Sequence, residues 1–318
     1  MARKSTFIPE GGFYKGNTHC HSLFSDGRLS VRQLKDAYKG RGYQFHVFSD
    51  HDIYSNWNEL NDDSFCVIQG FEGKLILNEN KWHEWHFVII PGSKTARLAA
   101  KKPFFKHMEK VPMIPFTGLD SVRQYIDEMA ERGYSVILCH PHWSTIEYDE
   151  VLQLKGLIGC EVYNYCSDIL ENMGESNVFW DACMRRGMKL WATAADDNHN
   201  GYGLDSVYCD SFGGFIQVKA RALTEEDICE SIACGSFYAS QGPEIYDFYI
   251  EEGIAHFTCS PVKKIYINGH IRQIGVALAE EDRYLTSFAG KLQGSEIYVR
   301  IECYDEKGKK AYTNPIYL

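Results

Sequence analysis

The chain has 318 residues, 44% of them hydrophobic and 24% charged. That is the balance of an ordinary globular protein, long enough to bury a core unaided and to form about two domains. It excludes a disordered tail, a collagen-like rod and a coiled coil. With 33 basic and 43 acidic residues the net charge is −10. Such a surface repels a phosphate backbone, so no stable nucleic-acid partner is expected, although a nucleotide or small phosphoester could enter a site whose own cations oppose that field.

The eleven cysteines are odd in number, scattered, and form no CxxC. They read as reduced thiols, Cys20, Cys66, Cys139, Cys160, Cys209 and Cys303 lying in apolar runs. Met1-Ala2-Arg3-Lys4-Ser5-Thr6 leads into no apolar signal core, and no apolar run is long enough to span a bilayer. The expectation is a soluble, cytoplasmic protein with no membrane partner; its oligomeric state is open.

In chain order, strands are expected at 14–21, 43–49, 65–71, 84–90, 135–140, 158–163, 189–194 and 214–219. Helices are expected between several of them. Ser30 caps one at 30–38, with Val31, Leu34, Ala37 and Tyr38 on one face. Asp120 opens a second that stops at Gly133, and Thr224 with Asp227 opens a third that stops at Gly235. Alternating βα units imply an α/β fold with a parallel sheet or barrel. The 92–118 stretch, with five lysines and little periodicity, reads as a basic surface insertion. After Gly242 the runs at 245–251, 255–259, 263–267, 284–288 and 296–304 are β-like with no helix between them. The expected division is a barrel at 1–242 and a small antiparallel, sandwich-like β-domain at 243–318.

The chemistry lies where those strands end. In Thr18-His19-Cys20-His21-Ser22 the two imidazoles are two positions apart, so a strand points both to one side and Cys20 to the other. Asp26 follows in the next loop. Ser49-Asp50-His51-Asp52 ends the second strand, where Asp50 could fix the tautomer of a liganding imidazole. Glu72 stands at the end of the third, with two oxygens able to bridge two cations. Trp82-His83-Glu84-Trp85-His86 offers two more imidazoles, one a ligand and the other packed behind it. His140 and then the Asp197/His199 pair close two later strands. Each cluster alone reads equally well as a capped turn. Five strand ends bearing His, Asp or Glu read as a polynuclear metal site, because buried charges need partners.

The order HxH, SDG, SDH, Glu, His, HP and DxH resembles the PHP family, named for polymerase-associated and histidinol phosphatase members. The resemblance covers about residues 13–242. Gly235-Ser236-Phe237-Tyr238-Ala239-Ser240-Gln241-Gly242-Pro243 and Asn314-Pro315-Ile316 are similar to the tail of its two-domain, phosphoesterase-like members. The resemblance implies a distorted (β/α)7, TIM-like barrel holding two or three divalent ions. It implies His19, His21 and Asp197 on the first ion, Glu72 bridging the first and second, His83 and His140 on the second, and Asp26, His51 and His199 on the third. It further implies hydrolysis of a small organic phosphate or nucleotide phosphoester by a metal-bridging hydroxide, Asp197 orienting it and taking its proton and Asp50 assisting the leaving group. Imidazole and carboxylate ligands without thiolate suit Mn, Zn or Fe. The alternatives are a carboxylic ester or carbamate hydrolase with the same metals, or a non-catalytic binding protein.

Overall fold

The computed structural model describes residues 3–76 and 83–318. Met1, Ala2 and Trp82, quoted above, lie outside the described residues. The fold is mixed α/β, with several sheets and few helices.

Three strands, Gly12–Asn17, Phe45–Val47 and Cys66–Ile68, run parallel in that order. The helix Val31–Lys39 returns the chain between the first two. Ser30 caps it, Gln33 completes a capping box, and Val31, Leu34 and Tyr38 form its buried face. In a second sheet Leu157–Asn164 lies parallel to Tyr134–Leu138 on one side and to Trp191–Ala195 on the other. The helices Leu119–Glu131 and Asn177–Arg185 precede two of these strands.

Uniform βα alternation breaks at two places. His86–Pro91 runs antiparallel to both Phe71–Ile76 and Tyr134–Leu138. The chain between residues 76 and 86 is shorter than the dozen or more residues a parallel crossover needs, so it reverses the strand direction instead. Phe215–Ala220 is antiparallel to Gly12–Asn17. The two sheets approach one another through isolated bridges at Cys20–Asn198 and His51–Glu72. These bridges bring the distant histidine and carboxylate clusters to one place.

The sheet does not stop at residue 242. Phe237–Ser240 pairs with Lys310–Thr313, and the ladder continues through Tyr298–Tyr304 and Lys264–Gly269 to Gln273–Leu278. A four-stranded sheet of Lys4–Ser5, Ile245–Glu251, Ile254–Val262 and Leu285–Lys291 contributes Phe248 and Phe257 to a core that also holds Ile265 and Ile301 of the long sheet. Polar contacts also cross residue 242. The buried Arg300 guanidinium lies 2.7 Å from Asp181, and the Asn314 side chain accepts the Ala192 N–H at 2.8 Å.

The 92–118 stretch forms a short helix, Lys94–Leu98, and two short strands, Glu109–Lys110 and Ile114–Pro115. Lys101 and Lys102 pair with Glu131 and Glu128 on the surface. All eleven cysteines are free thiols. Among the described residues no helix is long and apolar enough to cross a membrane.

Candidate metal centre

His19 and His21 follow the strand Gly12–Asn17 and are fully buried. The Nδ1 of His19 lies 2.8 Å from Oε1 of Glu161. A carboxylate only accepts, so Nδ1 carries the proton and Nε2 presents a lone pair. That Nε2 faces Nε2 of His21 at 3.3 Å. Both point at the same carboxylates, lying 3.1 and 3.0 Å from Oδ1 of Asp197 and each 3.3 Å from an oxygen of Glu72.

Donor atoms about 2.0–2.2 Å from one ion stand roughly 3.0–3.5 Å apart in tetrahedral or octahedral geometry. The observed spacings are those. A second observation agrees. Oε2 of Glu72 and Nδ1 of His51 are buried and lie 2.9 Å apart without a well-formed hydrogen bond between them. Two buried polar atoms so placed fit a shared cation better than they fit an empty protein interior.

Two further groupings adjoin the first. Oε1 of Glu72 is 2.9 Å from Nδ1 of His86 and 3.3 Å from Nε2 of His140, whose Nδ1 is steadied by Ser144 at 2.9 Å. On the other side the Asp26 carboxylate lies 3.6 Å from His21 and 3.5 Å from both His51 and His199. His199 donates from Nδ1 to the Asp197 carbonyl at 2.9 Å, which leaves Nε2 for Asp26. His140 and Asp197 carry positive φ, 25° and 55°, a strain that surrounding structure must hold and that gathers at functional sites.

The electrostatics have one pattern. Burial would raise the Glu72 carboxyl, but the charges of His19 and His86 and hydrogen bonds from His140 and His19 hold it well below the usual carboxylate range. Asp197 is likewise held far down, burial being overcome by His19 and His21. Burial would lower His19, yet Asp197, Glu72 and Glu161 raise it well above an ordinary imidazole. His199 is pushed up to about 11 against the drag of burial, chiefly by Asp26 and Cys166. Without a cation these carboxylates hold protons on their histidines, so metal and protons compete for one set of atoms. His199 gives a signed test in chelator. Its folded value lies above the ordinary 6.5, so its contribution is fully present below about pH 6.5 and lost as pH rises through about 11. The loss of urea stability caused by His199→Gln is therefore expected to be larger near pH 6 than near pH 11.

The structure brings His19, His21, Asp26, His51, Glu72, His140, Asp197 and His199 together. Two expectations are corrected. His83 stands apart, half-buried, with Nδ1 on Thr145 at 3.1 Å and Nε2 3.6 Å from Glu150. The strand begins only at His86, whose side chain therefore faces Glu72 while His83 stays in the preceding link. His86→Ala is expected to lower bound metal per chain several-fold, and His83→Ala to leave it unchanged, by elemental analysis of the purified proteins. For Asp50 the structure shows a positioning part in place of the expected assistance to a leaving group. Its buried carboxylate accepts from the N–H and Oγ of both Ser22 and Ser25 and so holds the loop that carries Asp26. It does not line the cavity beside the cluster.

Two contributors went unread in the sequence. They are Glu161 and Asn164, whose amide donates to Glu161 at 2.9 Å and to Asp197 at 3.2 Å. Cys139 lies near His19 and His140, and burial pushes its thiol up in the metal-free protein. The cluster opens into a cavity of about 610 Å³ whose wall includes Lys74, Ile76, Met113, Trp143 and Glu171.

No family model matches the chain. It is 42% identical over 45 residues to the DNA polymerase/3'-5' exonuclease PolX of Bacillus subtilis strain 168, a stretch that is 14% of this chain and 8% of that relative's length. Among solved structures it is similar to a two-domain protein from Bacteroides vulgatus ATCC 8482 containing a predicted PHP-like metal-dependent phosphoesterase. The two are 14% identical with a TM-score of 0.45, over 99% of each chain. A candidate metal-dependent phosphoesterase from Bifidobacterium adolescentis ATCC 15703 is 16% identical with a TM-score of 0.42, over 63% of this chain and 91% of that one.

Proposed function

We propose that the protein is a metal-dependent phosphoesterase acting on a small organic phosphate or nucleotide at a di- or trinuclear site. The observation that carries this reading is the pair of facing Nε2 atoms of His19 and His21, 3.3 Å apart and both aimed at Glu72 and Asp197. Without metal a proton shared with the carboxylates relieves that contact, and a divalent ion displacing the proton would be held by the same four side chains. His19, His21 and Asp197 would hold a first ion, His86 and His140 a second, Asp26, His51 and His199 a third, with Glu72 between them. Bound divalent ions supply Lewis acidity, ionising water near neutral pH and offsetting phosphoryl charge. Mn, Zn and Fe suit these ligands.

The chain's own groups do the rest. Asn164 fixes the Asp197 carboxylate through Oδ2, which leaves that group placed to accept from and orient an attacking water. Burial of His19, His21 and Glu72 keeps bulk water from competing for their lone pairs. The distorted barrel belongs to the same reading. It is supported by the bridges that join the two sheets at the site. So does a reducing, cytoplasmic setting, supported by eleven free thiols.

The test is metal analysis followed by assay against p-nitrophenyl phosphate, bis-p-nitrophenyl phosphate, a nucleotide panel and aryl esters. Metal-dependent phosphate release is expected. Ester turnover without phosphate release would overturn the reading in favour of a carboxylic ester or carbamate hydrolase.

A further inference from the structure

Beside the cluster, the cavity wall changes character. Among the described residues five carboxylates line it, those of Asp26, Glu72, Glu84, Glu171 and Asp197, against a single lysine or arginine, Lys74. Lys74 follows Glu72 by two positions on the strand Phe71–Ile76, so both side chains leave the same face. Their Cα atoms are about 7 Å apart at the rise of a strand. An extended lysine spans a similar distance, so an anion held over Glu72 is within reach of its ammonium. Among the described residues Lys74 forms no ion pair, although Asp52 accepts its backbone N–H at 3.2 Å and fixes its place. A cation in an acidic cavity would ordinarily be drawn onto one of those acids. The Lys74 charge is felt by the nearby Asp52 carboxyl without closing an ion pair with it, so the ammonium can still receive an incoming anion.

Beside the histidines of the cluster, Cys166 and Ser167, the wall has an apolar part made by Leu75, Ile76, Met113 and Trp143. Ile76 and Met113 are 46% and 43% exposed although both line the cavity. Trp143 is half-buried there. Its Nε1–H donates to Glu171 at 2.8 Å, and its ring stands edge-on to His140 with centroids 5.0 Å apart. The indole is thereby fixed by its polar edge, and its ring is an apolar surface of the cavity wall beside His140 and His86. A cavity of about 610 Å³ is several times larger than a phosphate group needs and has the size of an ordinary small-molecule site.

We infer that this cavity selects phosphomonoesters bearing a flat ring, Lys74 receiving a phosphoryl oxygen and Trp143 stacking on the ring. The inference rests on the phosphoesterase reading for the position of the phosphoryl group. Lys74 and Trp143 determine affinity and choice of substrate. They perform no chemical step.

The test uses non-hydrolysable probes, so that binding is separated from turnover. Benzylphosphonate and methylphosphonate share the same head group and differ in the ring. They are titrated calorimetrically into manganese-loaded wild-type protein and into the Lys74→Gln, Lys74→Arg, Trp143→Leu and Trp143→Phe variants. Wild type is expected to bind benzylphosphonate several-fold to about tenfold more tightly than methylphosphonate, the worth of one stacked aromatic pair. Lys74→Gln is expected to weaken both probes by roughly tenfold, and Lys74→Arg to restore most of that loss. Trp143→Leu is expected to remove the preference for benzylphosphonate while leaving methylphosphonate unchanged, and Trp143→Phe to retain it. Unchanged affinities in Lys74→Gln, an unchanged ratio in Trp143→Leu, or wild type binding neither probe would each overturn the inference. If the phosphonate pattern holds and no phosphoester is turned over, the activity reading alone fails. If phosphoesters are turned over and the variants bind as wild type does, the inference alone fails.

Discussion

Replacing Glu72 by glutamine is expected to strip the protein of most of its metal and to lower any metal-dependent turnover more than a hundredfold. Five imidazoles converge on this one carboxylate. His51 and His86 lie 2.9 Å from its oxygens, and His19, His21 and His140 lie 3.3 Å away. An amide of the same shape keeps the packing but loses the charge, and its NH2 turns donors toward atoms that should share a cation. Losing a group outside the ligand set commonly costs 10–100-fold in metal affinity, so a group between ligand sets should cost more. The contrast is readable without any substrate. A metal at a hundred times its dissociation constant stabilises a folded protein by about 2.7 kcal/mol. For a chain of this size that is roughly 5 °C in melting temperature. Wild type should show that shift on adding manganese or zinc after dialysis against chelator, and Glu72→Gln should show almost none. A variant with full metal content and an undiminished shift would remove Glu72 from the centre.

What the sequence disclosed and what it hid follow one physical division. Local features were legible. Ser30 caps its helix and Gln33 closes the box. Thr224 opens another that stops at Gly235 in the left-handed region. Each depends on a few adjacent residues. The histidines and acids were legible for a related reason. They sit at strand ends beside Ser, Asp or Gly, where polar groups break an apolar run. Choosing between His83 and His86 needed the first residue of a strand, and boundaries shift easily by that much. Asp50 misled because it adjoins His51, although its carboxylate turns the other way, into the Ser22–Ser25 loop. Strand direction and sheet continuity were hidden altogether. The antiparallel place of His86–Pro91 and the pairing of Phe237–Ser240 with Lys310–Thr313 are contacts between segments far apart in sequence. Glu161 had a signal that went unread. A lone carboxylate in the otherwise apolar run 157–162 must find a buried partner.

That partner makes Glu161→Gln the second large effect. Oε1 of Glu161 takes the proton of His19 Nδ1 at 2.8 Å, while Oε2 accepts the His140 N–H and the Asn164 amide, each at 2.9 Å. One buried carboxylate therefore sets the tautomer of His19, the backbone of His140 and, through Asn164, the pose of Asp197. Glutamine has a single accepting oxygen. Turned toward His19, it sets its NH2 against the His140 and Asn164 donors. Turned the other way, it drives the His19 proton from Nδ1 to Nε2, the atom that faces His21 and both carboxylates. Either orientation is expected to weaken metal binding 10–100-fold, with a stability loss of about 1–3 kcal/mol from the unpaired buried group. Nitrogen-15 shifts of the His19 ring report the tautomer directly, and competition with a calibrated chelator reports affinity in the folded protein. A residue that merely props the strand would lower the melting temperature and leave both of those readings alone. An affinity within twofold of wild type, with His19 still protonated at Nδ1, would confine Glu161 to that lesser part.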